Sequence, residues 1–316
     1  MHILVVMDPI ERVRIDKDTT FGFLLAAQAR GHRVWYCQQR DLYSVGDRGH
    51  ARCAPVEVRP VQGDHATLGE AEDLPLSSFA TVWMRKDPPV DRAYLHATHL
   101  LDLAGRDTLV VNRPSGVRFA NEKLYALHFP EFTPETMVTR DARRVRAWLA
   151  ARDAPLIVKP IDGHGGYGVF LLEPGDRNVA SILETLSEDG QRWVMAQSYL
   201  PAAREGDKRI ILVDGEPLGA ILRVPQADDH RGNIHVGGRV VYSELTERER
   251  AMCAALGPRL RADGLYFVGL DVIGGYLTEV NVTSPTGIRE VLQLGGIDIG
   301  DAFVAWCETQ VAARGA

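Results

Sequence analysis

The chain has 316 residues, 45% of them hydrophobic and 25% charged, the proportions of a folded globular protein of two or three domains rather than a disordered chain. With 36 Lys and Arg against 42 Asp and Glu, the formal net charge is −6, which argues against a bulk nucleic-acid or membrane-surface binder. No apolar run is long enough to suggest a transmembrane helix. MHILVVMDPI lacks a basic region, so it reads as a first strand and not a signal peptide. Cys37, Cys53, Cys253 and Cys307 lie far apart with no CxxC, as expected of reduced thiols in a cytoplasmic protein rather than disulfides or zinc ligands.

The first third alternates strand and helix. Strands are expected at His2–Asp8, Val34–Cys37, Thr81–Met84 and Leu109–Asn112. Helices are expected at Thr19–Arg30, with Gly31 as its C-terminal glycine, and at Asp91–Gly105. This order predicts a mostly parallel α/β sheet over residues 1–120, with Ala51–Val61 an edge excursion because of its prolines. After Pro114 the texture changes to α+β. Strands are predicted at Glu135–Arg140, Leu156–Lys159, Val169–Glu173 and Trp193–Leu200, around helices at Asp141–Arg152 and Val179–Glu188. Two hairpins follow, Lys208–Val213 with Leu218–Val224 around Asp214-Gly215, and Gly264–Ile273 with Leu277–Val282 around Gly274-Gly275. Thr246–Asp263 and Ile299–Ala313 read as helices. Between the strand ending at Val224 and the first of these helices, PQADDHRGNIHVGG (225–238) reads as a lid loop.

Two segments carry chemistry. Asp162-Gly163-His164-Gly165-Gly166-Tyr167-Gly168 follows Lys159-Pro160. Its glycines let bare main chain approach an anion, and a lysine ending the apolar run LIVK suggests that the anion is phosphate. No Walker lysine follows it and no Rossmann helix opens behind it. In the last hairpin, Glu279 and Asn281 are two residues apart and share a face, and the Gly-Gly turn can bring Asp271 opposite them. Two carboxylates and an amide carbonyl among Val, Leu and Ile are costly to bury without a cation. An all-oxygen set suits Mg²⁺, with Mn²⁺ as a substitute.

The order of these features resembles the ATP-grasp superfamily. The series MDPI, KDTTFGFLLAAQARGH, DLY, MRKDPP, NEKL, TPETMVTR, IVKPIDGHGG, MAQSYLPA, GDKRI, VDGEP, GLDVIG and TEVNVTSPTGIRE spans nearly the whole chain and resembles the bacterial glutathione synthetase family. The resemblance implies an N-terminal pre-ATP-grasp domain over 1–120. A central lobe over 121–200 would carry the glycine loop, and a C-terminal lobe over 201–316 the lid and metal site. It implies ATP as co-substrate, held by Lys123, Lys159, Gly163, Gly165, Gly166, Gln197, Tyr199, Leu200 and Asp207. The metal would sit on Asp271, Glu279 and Asn281. Arg209, Arg223 and Arg239 would be catalytic, and Arg85, Asn281, Ser284 and Arg289 would face the substrates. The implied activity is a cytoplasmic, homotetrameric ligase that joins γ-glutamylcysteine to glycine through an acyl phosphate. Its partners are small-molecule acids and amines. His164, Tyr167-Gly168 and the exit of the lid depart from the family pattern, so a relative acting on another acid or amine is the alternative. A non-catalytic ATP-binding protein is the third.

Other candidates have structural readings. His96 and His99 share a helix face without a third ligand, which suggests a surface pair. Trp35, Trp83, Trp148, Trp193 and Trp306 read as core or helix-packing residues. Arg140, Arg143, Arg144, Arg146 and Arg152 read as a solvated helix face. No Gly-x-Ser-x-Gly motif occurs and no paired catalytic Cys–His is legible, so covalent hydrolase chemistry has little support.

Overall fold

The computed structural model describes residues 1–163, 165–225 and 239–314. Its strands form three sheets in consecutive stretches of chain. The first is built from β1 (His2–Val6), β2 (Arg33–Cys37), β3 (Leu42–Val45), β4 (Arg48–Val58), β5 (Ala66–Leu68), β6 (Glu72–Pro75), β7 (Thr81–Met84) and β8 (Leu109–Val111). Its spine β2-β1-β7-β8 is parallel, as the strand–helix alternation predicts. The expected edge excursion is instead an 11-residue strand, β4, which pairs antiparallel with β2 and also takes β3, β5 and β6. The sheet is therefore mixed.

The second sheet, in the order β11-β10-β12-β9, consists of β9 (Thr136–Thr139), β10 (Leu156–Pro160), β11 (Phe170–Leu172) and β12 (Val194–Ser198), all antiparallel. The third runs β15-β14-β13-β16-β17. Its strands are β13 (Asp207–Val213), β14 (Glu216–Val224), β15 (Arg239–Tyr242), β16 (Phe267–Ile273) and β17 (Tyr276–Asn281). Each expected hairpin is present.

The helices are α1 (Thr19–Ala29), α2 (Arg92–Leu101), α3 (Pro114–Phe119), α4 (Ala142–Ala150), α5 (Val179–Ser187), α6 (Glu247–Asp263), α7 (Ile288–Gly295) and α8 (Ile299–Arg314). Local chemistry fixes their ends. Asp18 caps α1 by accepting from the Phe21 amide at 2.6 Å, and Asp91 caps α2 at 2.8 Å. The Thr246/Glu249 capping box opens α6, and Gly264 in the left-handed region (φ 74°) closes it. The expected helix at 91–105 stops at Leu101 and finishes as a 3₁₀ turn over Asp102–Ala104. Helices α3 and α7 were not expected.

The chain's last helix returns to its beginning. Helix α8 packs on α1, and Phe303 stacks on Phe23 at 4.2 Å between ring centroids. Phe267 of the third sheet lies 4.9 Å from Phe23 and Trp83 of β7 lies 5.9 Å from it, so one aromatic cluster joins the first sheet, the third sheet, α1 and α8. The Asn112 side chain adds a polar stitch. Its Nδ2 donates to the carbonyls of Phe267 (2.9 Å) and Val282 (2.7 Å), and its Oδ1 accepts from the amides of Tyr266 (2.7 Å) and Phe267 (2.8 Å). That uses all the ordinary hydrogen-bonding capacity of a buried amide.

His96 and His99 are exposed on α2, and the four cysteines are free and buried. Trp35 and Trp83 are core residues, but Trp193 is 49% exposed, with the Arg140 guanidinium 5.3 Å from its ring centre. Its indole is thus a surface partner for a cation rather than a packing residue. Arg143, Arg144 and Arg146 are exposed on α4, the solvated face expected of them, whereas Arg152 lies over Trp148 at 4.8 Å.

Candidate active site where the three sheets meet

A cavity of about 800 Å³ opens between the sheets. From the second sheet comes Lys159, at the fourth position of β10, with its side chain buried. Beyond it, Gly165, Gly166 and Gly168 adopt φ of 65°, 77° and 72°, a left-handed path that side chains resist. A Cβ on Gly163 would lie 2.8 Å from the Pro160 ring, so the loop folds tightly over the strand end. His164 lies outside the described residues, as do 226–238, which contain all but the first residue of the expected lid. Lys123 arrives from a turn held by Asn121, whose Oδ1 accepts from the amides of Lys123 and Leu124. The Lys123 ammonium donates to the Gly163 carbonyl.

The third sheet supplies a row of charges. Across β14, β13, β16 and β17 the register places Arg223 opposite Asp207, Arg209 opposite Asp271, and Asp271 opposite Glu279. Two bulges make this row. Counting outward from the Gly-Gly turn, a regular hairpin would set Asp271 against Thr278. A register shift between Asp271 and Val272 brings Glu279 there instead. A similar shift between Ile211 and Leu212 sets Asp207 against Arg223 rather than Leu222. Arg209 grips Asp271 through both carboxylate oxygens, at 2.5 and 3.0 Å, and Arg223 reaches Asp271 at 3.0 Å while also pairing with Asp207. Glu279 stands between the two lysines, 3.3 Å from Lys123 and 3.5 Å from Lys159.

These contacts set the charges. Burial works to raise the Asp271 carboxyl, but Arg209 and Arg223 overcome it and hold the group well below the usual carboxylate range. Glu279 is likewise lowered, with Lys123 and Lys159 prevailing over burial. Burial pushes Asp207 up to about 7 against the pull of Arg223, and burial lowers Lys159 in spite of Glu279. The site thus keeps two carboxylates ionised beside a third that titrates near neutrality.

Asp271, Glu279 and Asn281 offer only oxygens, and the Asn281 Nδ2 is committed to the Gly269 carbonyl at 3.2 Å, which leaves its Oδ1 as the available ligand atom. Among the described residues no group of three carboxylates, imidazoles or thiols could cage a metal. Two carboxylates and an amide suit a hard cation that takes its other ligands from phosphate and water.

Most of the expected site residues reach this cavity. Gln197 lines it from within β12 and Tyr199 and Leu200 from just beyond, Asp207 and Asn281 line its floor, and Arg85 and Ser284 line the side toward the first sheet. Two do not. Arg239 begins β15 opposite Val224 and is exposed, and Arg289 on α7 walls a separate hollow with Gly22 and Asp298. Sequence reasoning missed Asp18, Asp87 and Glu122, which also line the cavity. Glu122 sits beside Lys123 and is raised by burial, although Thr283 and Val282 donate to it. Its position in NEKL was the one available signal.

A glycine loop and two lysines facing a carboxylate-bearing hairpin across a cleft define an ATP-grasp protein. Comparisons with known proteins agree. The family model described as prokaryotic glutathione synthetase, ATP-grasp domain, matches residues 122–296, and the one for its N-terminal domain matches residues 1–118. Glutathione synthetase of Thermosynechococcus vestitus is 48% identical over 97% of this chain and 99% of its own. That of Pseudomonas putida is 46% identical over 98% of each. Among solved structures, D-cycloserine synthetase DcsG aligns with a TM-score of 0.68 at 18% identity over 99% of both chains. The ATP-grasp ligase PsnB with a minimal precursor aligns at 0.61 and 19%, over 99% and 98%. At those identities the likeness is one of fold. The chain belongs to the prokaryotic glutathione synthetase family.

Proposed function

We propose that the protein is an ATP-dependent carboxylate–amine ligase that joins γ-glutamylcysteine to glycine, giving glutathione, ADP and phosphate. The observation that carries this reading is the meeting, in one cavity, of Lys123, Lys159 and the glycine loop with the charge row Arg223, Arg209, Asp271 and Glu279. In this reading adenine lies against Gln197, Tyr199 and Leu200, and the two ammonium groups leave Glu279 to share the phosphates. The acid's carboxylate oxygen attacks the γ-phosphorus and ADP departs. Arg209 and Arg223 neutralise the acyl phosphate, so positioning and charge complementarity do most of the work. The amine then attacks the acyl carbon and phosphate leaves. Asp271, Glu279 and Asn281 would hold Mg²⁺, or Mn²⁺ in its place, which when bound supplies charge neutralisation at the transferring phosphoryl group.

The division into an N-terminal domain (1–120), a central lobe (121–200) and a C-terminal lobe (201–316) is part of the proposal. So is assembly as a homotetramer, which rests on family resemblance and is testable by sedimentation. Free buried thiols at all four cysteines support residence in the cytoplasm. The test of function is a phosphate-release assay over paired acids and amines. Release that requires γ-glutamylcysteine and glycine together supports the reading. Release only with a different pair refutes the substrates, and none with any pair refutes the ligase.

A further inference from the structure

Arg85 follows β7 directly and faces the cavity, yet the protein has already engaged its guanidinium. Nε donates to Thr20 Oγ1 at 3.1 Å, Nη2 to the Pro285 carbonyl at 3.0 Å, and Nη1 to the Thr283 carbonyl at 3.5 Å. Its Cζ lies 5.4 Å from the Phe23 ring centre and 5.2 Å from that of Phe267. The side chain is 6% exposed. This planar cation is solvated by carbonyls and ring faces. It does not present the open two-pronged edge with which arginine takes a carboxylate.

The carbonyls it holds belong to the turn Val282–Gly287, which leaves β17 immediately after Asn281. The turn is tied from several directions. Glu122 accepts from the amides of Val282 (3.0 Å) and Thr283 (3.2 Å), and Thr19 Oγ1 accepts from the Gly287 amide at 3.2 Å. The Ser284 hydroxyl donates to Asp87 at 2.5 Å, and Arg209 Nη1 donates to the Thr286 carbonyl at 3.1 Å. The last tie matters for chemistry, because the same Arg209 grips Asp271. The turn therefore links the first sheet to the charge row, and Arg85 is its brace from the first-sheet side.

We propose that Arg85 is a positioning residue, acting on the reaction through the Thr283–Pro285 main chain and not by pairing with a carboxylate of the acid or the amine. The inference rests on the ligase reading only for its kinetic readout. A lysine, with one point-like donor group, cannot span both carbonyls and Thr20 while lying flat between two rings.

The test uses full-length Arg85→Lys with two measurements. Amide hydrogen exchange over Val282–Gly287 should quicken by about tenfold or more while β1 and β16 are unchanged. In steady-state kinetics kcat should fall about tenfold or more, with KM for ATP within about twofold. That penalty should also be the same within about threefold when γ-glutamylcysteine is replaced by γ-aminobutyrylcysteine, or glycine by methylamine, each lacking one carboxylate. Unchanged exchange overturns the proposal. So does a penalty that disappears with either truncated substrate, because that marks a direct ion pair. If Arg85→Lys does not fold, Thr20→Val removes only the Nε acceptor and should quicken exchange in the same segment. A wild type inactive with every pair condemns the assigned substrates, and the exchange result still decides the role of Arg85.

Discussion

Replacing Glu279 with Gln tests the junction between the lysines and the charge row. The substitution keeps the shape and removes one negative charge lying 3.3 Å from Lys123 and 3.5 Å from Lys159. At an effective dielectric near 20, each contact is worth roughly 5 kcal/mol of direct attraction, most of it offset by the cost of desolvating the ions. What the variant feels is the penalty of leaving buried cations unpaired. The two lysine side chains are 5% and 8% exposed, so roughly 3 kcal/mol of stability should be lost without ligand. For a chain of 316 residues that corresponds to a melting temperature lower by roughly 4–5 °C. The reaction should suffer more, because the same carboxylate is an assigned metal ligand. The expected loss in kcat is about a thousandfold, as for removal of one preorganised group that meets transition-state charge. Calorimetric titration separates the two effects. Metal-free ADP should bind the variant at least as well as the wild type, because the freed lysines welcome phosphate, whereas the dependence on divalent cation should be lost. Turnover within about threefold of wild type, or an unchanged metal titration, would refute the reasoning.

Two further predictions concern stability. Asn112→Ala removes four hydrogen bonds that join β8 to the third sheet and should cost roughly 3–4 kcal/mol in denaturant unfolding; a loss below about 1 kcal/mol would mean that water replaces them. Asp207, raised to about 7 in the fold, binds its proton more tightly folded than unfolded. Its contribution is fully present below the unfolded value near 4 and is lost as pH rises through about 7. The stability of the wild type relative to Asp207→Asn should therefore fall by roughly 2 kcal/mol between pH 5.5 and 8. A flat or opposite trend shows that Arg223 keeps Asp207 ionised throughout.

Much of this was legible in the sequence, for identifiable reasons. Thr81–Met84 is a fully buried strand, and an apolar run between polar flanks announces it. Helix α6 carries its own capping box and closing glycine. Lys159 and the glycine loop are a local pattern, as is the pair Glu279 and Asn281. The other features depend on non-local geometry. Strand β4 alternates in and out around Pro55 and gains its identity from four partners. Asp207 meets Arg223 only because of a bulge that no residue in β13 advertises. Arg85 in MRKDPP is expected to face the substrates, and only folding brings Thr20, Thr283 and Pro285 around it. Arg239 and Arg289 carry the right charge, but Arg239 is exposed at the start of β15 and Arg289 lines a separate hollow.

The central claim is that ATP activates a carboxylate as an acyl phosphate in this cavity. It is tested most directly with γ-glutamylcysteine carrying oxygen-18 in its cysteinyl carboxylate, turned over with ATP and glycine. The account predicts ADP and inorganic phosphate bearing one labelled oxygen per turnover. Unlabelled phosphate, or AMP with pyrophosphate, would contradict it.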